Sequence, residues 1–327
     1  EFPDPFIFQR GLAYLQLGNY DQAVTELQDY TARRPEDAAG WINLGQAHER
    51  LGHTFSAIQV YETALAVDPE ATHLHSTLAR LYYDASAAFA PDSTEAADYL
   101  AMAIRAADQA LRAYASDATA YLYRALAYLA QGRLENALED FSAAIRVNPN
   151  QAAAYYNRAI VYTRLGDAAL DESERRTLYR AAIEDYAALL QLDFATYSHL
   201  LPYAGYLYVE LGQFTEALQY FDAYAASRPG RPPDQALAIY QGRAYLALGR
   251  YEEALTAYTA AISGDSPSYT CEAYLATGLI EGRAFRAYAP AAASLRAYLG
   301  RSCPANALMR TLVRLYLVAW ERPSRQL

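Results

Sequence analysis

The sequence predicts an all-α solenoid of antiparallel helix pairs, and three observations lead there. A block of 34 residues recurs in register: Gly18, Tyr20, Ala23 and Pro35 return as Gly52, Thr54, Ala57 and Pro69. The register comes back at Gly132, Leu134, Ala137 and Pro149, at Gly212, Phe214, Ala217 and Pro229, and at Gly249, Tyr251 and Ala254. The composition, 53% hydrophobic and 20% charged over 327 residues, can bury a large core at a length long for one globular unit and ordinary for a repeat array. A period in this range marks a stack of units, none of which buries its apolar face alone. Such a chain is built mainly to present a surface.

Taken in order, the blocks open near Pro5, Ala39, His73, Thr119, Ala153, His199 and Ala236, with a degenerate eighth near Tyr269. In the second block, Gly52 suits the bend after the first helix because glycine tolerates positive φ. Pro69 stops the second helix because it lacks a donor. The register then stretches twice, from His73 to Thr119 and from Ala153 to His199, each 46 residues, so two blocks gain 12 residues apiece. The extra chain falls between paired helices, near residues 84–98 and 167–178. Asp92 with Glu95 three residues on reads as a helix start. Lengthened helices protruding from one edge are expected, either as tolerated loop growth or as a functional ridge. Glu172, Glu174, Arg175, Arg176 and Arg180 on the second insertion read as a solvated face with helix-spaced ion pairs.

Residues 304–320 read as a final capping helix that closes one solenoid spanning residues 4–320. It carries two apolar stripes: Leu308, Leu312, Leu315 and Ala319 on one, Met309, Val313, Tyr316 and Trp320 on the other. The second stripe is expected either to dock a following domain or another subunit, or to wrap under the last repeat. Arg310 and Arg314, with the short length, argue against a membrane span. No secretory signal or membrane-length apolar run occurs elsewhere. Glu1-Phe2 has the look of a cloning remnant, which leaves room for an upstream leader or anchor.

Net charge is −10, and all 27 basic residues are arginine, as expected of a GC-rich genome. The absence of lysine excludes lysine-dependent phosphate loops, Schiff-base chemistry and serine–lysine pairs. An acidic chain without a basic stripe also argues against nucleic acid as partner. His73 and His75, two apart, fall on different faces of a helix, while His48 takes an aromatic packing slot and His53 a turn. No cysteine or carboxylate group has metal-ligand spacing beside them. Nucleophile elbows, zinc-protease motifs and glycine-rich phosphate loops are missing too, so neither catalysis nor a cofactor is expected.

The two cysteines bracket the last block. Cys271 starts its first helix and Cys303 follows its second, and an antiparallel pair brings those ends together. A disulfide there, implying an oxidising compartment, and two free thiols in a cytoplasmic one are both consistent with the sequence.

Within the second block, Trp41, Leu44, Gly45, Ala57, Tyr61, Ala64 and Pro69 resemble a tetratricopeptide repeat, W-x2-L-G-x2-Y then A-x3-F then P. Small residues at Gly45 and Ala57 let two helices approach, while Trp41 and Tyr61 fill the space beside them. The match extends over nearly the whole chain, although the leucine position holds Arg10, Arg124, Arg158 and Gln241. The resemblance implies a right-handed superhelix whose first helices line a concave face. It places Asn43, Arg80, Tyr83, Tyr123, Tyr156, Asn157, Arg164, Tyr203, Tyr206, Tyr240 and Arg243 on that face.

These residue types suit an extended peptide. Asparagine can pair with backbone amide and carbonyl together, tyrosine offers a flat face with a polar tip, and arginine grips carboxylates. Other tyrosines, among them Tyr61, Tyr128, Tyr162, Tyr186 and Tyr258, fall at packing positions. Family co-chaperones hold a C-terminal carboxylate with lysines, asparagines and an arginine. The matching positions here are Phe8, Leu12, Asn43, His73 and Thr77, then Leu122, Leu126, Asn157, His199 and Tyr203. Only the asparagine survives, so a clamp of that kind is not expected. The function expected is a non-catalytic scaffold binding a protein or peptide. The alternatives are a spacer or oligomerisation arm, or a regulatory domain of a larger protein.

Overall fold

The computed structural model describes residues 4–231, 234–301, 303 and 307–321. Glu1-Phe2 and Pro304 lie outside these residues, as do the side chains of Leu308 and Ala319. Among the described residues the chain is all-α, without a strand. It divides into two compact units, Glu1–Leu178 and Tyr179–Leu327.

The first unit pairs α1 (Asp4–Gln16) with α2 (Tyr20–Arg33), α3 (Ala38–Arg50) with α4 (Thr54–Val67), α5 (Leu74–Ser86) with α6 (Thr94–Ala113) and α7 (Ala118–Ala130) with α8 (Leu134–Val147). α9 (Ala152–Ala168) then packs on α8. α10 (Glu172–Leu192) begins in the first unit and continues into the second. There follow the short α11 (Phe194–Tyr197) and a 3-10 turn, Ser198–Leu200. The pairs of the second unit are α12 (Leu201–Glu210) with α13 (Phe214–Ser227), α14 (Gln235–Ala247) with α15 (Tyr251–Ile262), and α16 (Pro267–Arg283) with α17 (Tyr288–Gly300). α18 (Ala307–Glu321) closes the unit against α17.

The turns repeat one hydrogen-bond design. After α3, His53 N–H donates to His48 O at 2.9 Å and Gly52 N–H to Glu49 O at 3.0 Å, with Gly52 at φ +74°. That two-bond arrangement satisfies carbonyls the helix end leaves open, and it needs the left-handed backbone that glycine adopts without cost. The same pair of bonds recurs after α1, α7, α12 and α14. The second helices end two residues before Pro35, Pro69, Pro149 and Pro229, because the residue preceding a proline avoids the helical region.

Helix hairpins are welded at positions 16 apart. Gly205 on α12 faces Phe221 on α13, a fully buried ring, and a Cβ at Gly205 would lie 2.3 Å from it. Gly205→Ala should therefore displace the ring and cost about 1–3 kcal/mol in chemical denaturation; an unchanged midpoint would show that the hairpin has slack. Ala125 and Phe141 stand at the same offset between α7 and α8, both fully buried in one cluster.

One residue earlier, the unexpected arginines sit at the leucine position. Arg124 donates from Nε and Nη2 to both Asp140 oxygens at 2.7 Å, and from Nη1 to Asp108 at 2.6 Å. It thus joins α7 to α6 and α8. Arg10 pairs with Glu26, and Arg158 donates to Ser142 Oγ at 3.1 Å. Asp140 is buried, which pushes its carboxyl up from the usual range against the pull of Arg124. The same bonds, led by that to Asp140, hold the Arg124 guanidinium firmly charged.

Three expectations need correction. The cap of α6 is Ser93, not Asp92: its side chain accepts from Ala96 N–H at 3.1 Å, and its backbone is extended. In the first insertion only the second helix lengthens, with α6 at 20 residues while α5 keeps 13. The connection folds back rather than protruding, because Phe89 stacks on Tyr99 at 5.6 Å and meets Phe55 edge-on at 6.2 Å. In the sixth block the 3-10 turn Ser198–Leu200 carries His199, and α12 follows from Leu201, where Pro202 fits a helix start.

Of the two alternatives for the stripe at Met309, Val313, Tyr316 and Trp320, the structure shows the second. Val313 is buried, and Tyr316 and Trp320 pack with it against the Cys271, Leu295 and Tyr298 cluster. The stripe wraps under the last repeat because Gly282 leaves room for the Trp320 ring, which a Cβ there would meet at 2.2 Å. Met309 lies at the margin, and the outward residues are Leu312, Leu315 and Val318. Cys271 and Cys303 are joined in a disulfide with Cα atoms 5.7 Å apart, holding α16 to the chain just before α18.

Candidate functional site

In the first unit, α3, α5, α7 and α9 carry the groove residues expected from the register. Asn43 and Asn157 each turn the amide back onto their own helix, donating to Ala39 O and Ala153 O at 2.8 Å. The second amide proton and the oxygen of each take no part in those bonds. Tyr83 and Tyr123 bring α5 and α7 together with ring centres 5.9 Å apart, and burial pushes both phenols up. Tyr156 and Arg164 are exposed on α9. Beside Asn43 lies a cavity of about 660 Å³, lined by Leu12, Leu15, Tyr20, Glu49, Tyr61 and Thr77.

Arg80 corrects the expectation that groove arginines grip a ligand's carboxylate. It is engaged by Glu49 on α3 at 2.7 Å and by Asp84 on its own helix at 3.2 Å. In the second unit, Arg243 repeats the arrangement. It meets Glu272 on α16 through two bonds of 2.6 and 2.7 Å and Glu210 on α12 at 3.6 Å. Each guanidinium links neighbouring first helices and is matched by two carboxylates of the chain itself. The bonds to Glu272 head the causes that hold Arg243 charged.

The tyrosines of the second unit form a ladder. Tyr203 lies 6.2 Å from Tyr186 and 6.1 Å from Tyr206, and Tyr206 lies 4.4 Å from Tyr240, centre to centre. The Arg243 guanidinium sits over the Tyr240 ring at 4.8 Å. Burial first, and then the charge of Asp234, push the Tyr206 phenol well above its ordinary value, so it stays a neutral donor at physiological pH. Tyr203 keeps 52% of its surface open.

The structure thus brings Tyr203, Tyr206, Tyr240 and Arg243 into one constellation, and Tyr83 with Tyr123 into another. The register did not identify Glu49, Glu210 and Glu272, although each stands 29 to 33 residues from its arginine, close to one period. An apolar cavity of about 630 Å³ beside α16, lined by Leu246, Tyr251, Leu275, Leu279 and Arg283, carried no sequence signal either. Among the described residues no group of three or more metal-ligating side chains occurs. No helix described is long and apolar enough to cross a membrane.

Comparison with known proteins follows the register. A family model described as TPR repeat matches residues 125–166, and two described as tetratricopeptide repeat match residues 8–54 and 204–270, and residues 38–71. The chain is 37% identical over 81 residues to a tetratricopeptide repeat and J domain-containing co-chaperone of Cryptococcus neoformans, covering 25% of this chain and 14% of that one. It is 26% identical over 180 residues to DnaJ homolog subfamily C member 3 of Rattus norvegicus, covering 53% of this chain and 36% of that one. It therefore spans about a third or less of the curated relatives it matches. Among solved structures, the C-terminal part of a TPR repeat-containing protein from Cytophaga hutchinsonii superposes with a TM-score of 0.54 at 18% identity. That match covers 70% of this chain and 85% of the other. With the family models spread along the chain and the helix pairs in the same register, the protein belongs to the tetratricopeptide repeat family.

Proposed function

We propose that the protein binds an extended segment of another protein along the first helices of its repeats, with the tyrosine ladder of the second unit as the main contact surface. Tetratricopeptide arrays are in general non-catalytic scaffolds for protein–protein interaction. The observation that carries the finer reading is the joining of Tyr203, Tyr206 and Tyr240 across α12 and α14, with the Tyr203 ring half open. Large aromatic faces held by their neighbours contribute contact area at little entropic cost, which is where binding energy concentrates in interfaces. Arg80 and Arg243 act here as braces between helices rather than as ligand grips. The Cys271–Cys303 bridge supports an oxidising compartment as the place of action.

Partners captured from a native extract test the reading. Tyr203→Ala should weaken capture about thirtyfold, the loss of one aromatic anchor. Helix content and melting temperature should not move, because that ring is half exposed. Undiminished capture by Tyr203→Ala together with Tyr240→Ala would sink the ladder as the contact surface. Arg243 is left intact in this test, since removing it would strand Glu272 and confound binding with stability.

A further inference from the structure

The chemistry of the segment that fits the ladder can be narrowed. On α12, Tyr203, Tyr206 and Glu210 lie at helical spacing on one face, and on α14 Tyr240 and Arg243 do the same. Asp234 caps α14 close enough to act on the Tyr206 phenol, and Glu272 faces Arg243 from α16. Among the described residues, the charges shown to act on these rings or on their arginine are three carboxylates, Glu210, Asp234 and Glu272, and the guanidinium of Arg243. Arg283, eleven residues beyond Glu272 on α16, stands about 16 Å further along by helical rise. An anionic segment would meet this excess and the chain's net charge of −10.

Tyrosines of this unit, one of them in the ladder, already carry guanidinium groups. Within this unit guanidinium groups lie over Tyr224 at 5.0 Å, Tyr240 at 4.8 Å, Tyr245 at 4.6 Å and Tyr274 at 5.0 Å. We propose that the ladder binds a cationic segment of a partner protein, with an arginine of that segment over the Tyr203 and Tyr206 rings and Glu210 as its counter-charge. A guanidinium on a partly desolvated tyrosine face, beside a carboxylate, gains from the ring and the charge together. The inference rests on the ladder being the contact surface, and adds the sign and shape of what it holds.

Selection from a library of random nine-residue peptides with blocked ends separates the two ideas. The wild-type chain should enrich sequences with arginine at a fixed position, and Tyr203→Ala should not. The best such peptide, resynthesised with citrulline for that arginine, should lose at least tenfold in affinity. Glu210→Gln should lose several-fold, whereas neutralising a distant acid, Glu174→Gln, should leave affinity unchanged. Enrichment of uncharged or acidic peptides that depends on Tyr203 would overturn the cationic assignment and keep the groove. Binding that tolerates citrulline, or falls equally with Glu174→Gln, overturns the assignment as well. Failure to enrich any peptide that depends on Tyr203 would remove both.

Discussion

Exchanging Arg124 for methionine is expected to lower the stability of the first unit by about 3–5 kcal/mol at neutral pH, more than deletion of a surface ion pair ever does. Methionine keeps the apolar stem but strands the buried Asp140 carboxylate, which has the two Arg124 bonds at 2.7 Å as its counter-charge. The pH dependence gives the mechanism away. Burial already holds the Asp140 carboxyl above its unfolded value with Arg124 present, and loss of the guanidinium raises it further. A carboxyl raised in the folded state binds its proton more tightly there, so stability falls as pH climbs through the window between the unfolded and folded values. The penalty in Arg124→Met should therefore shrink as pH drops from 7 towards 5, where the stranded group takes up a proton. Arg124→Met with Asp140→Leu should recover most of the loss, because neither charge is then buried alone. Urea unfolding across that pH range, with hydrogen exchange in α7 and α8, reads both effects. A penalty that ignores pH and survives in the double variant would mean that the pair acts through packing alone.

That ion pair also marks where sequence reading succeeds and where it stops. The helix starts at Ala38, Ala118, Ala152 and Gln235 follow from the register within one residue, because periodic small residues and the glycine–proline punctuation act locally. Arginine at the leucine position looked like a loosened match, since its meaning depends on Asp140 and Asp108, 16 residues away on either side. Once that offset is known, the pairs Arg10 with Glu26 and Arg124 with Asp140 can be read from the sequence. The groove residues show the same limit. Their helix and face follow from spacing, but whether Arg80 and Arg243 point to a ligand or to Glu49 and Glu272 depends on the rise from one repeat to the next. The final helix offers two apolar stripes, and its sequence leaves open which one packs inward, because the choice rests on Gly282 of α16, which makes room for the Trp320 ring.

Removing the Cys271–Cys303 bridge should produce the second large effect, confined to the end of the chain. Within the described chain the α16–α17 pair has α15 on one side and only the single helix α18 on the other, so a cross-link there supports a thinly packed element. Cross-linking residues 32 apart removes loop entropy from the unfolded chain worth about 4 kcal/mol. Without the bridge, α18 is held mainly by Val313 and Leu317, which are buried, and by the partly buried Tyr316 and Trp320. In a Trp41→Phe background Trp320 is the sole tryptophan, as the sequence has two. Adding Cys303→Ser should shift its emission to the red and abolish exchange protection in α18, while α3 and α4 keep theirs. Reductant should do the same to the parent chain, and an alkylating agent should label neither cysteine until reductant is present. If Trp320 stays blue and α18 protected after Cys303→Ser, the apolar contacts suffice on their own. The cysteines would then add little to the native end of the chain, and the bridge would lose its weight as a sign of an oxidising compartment.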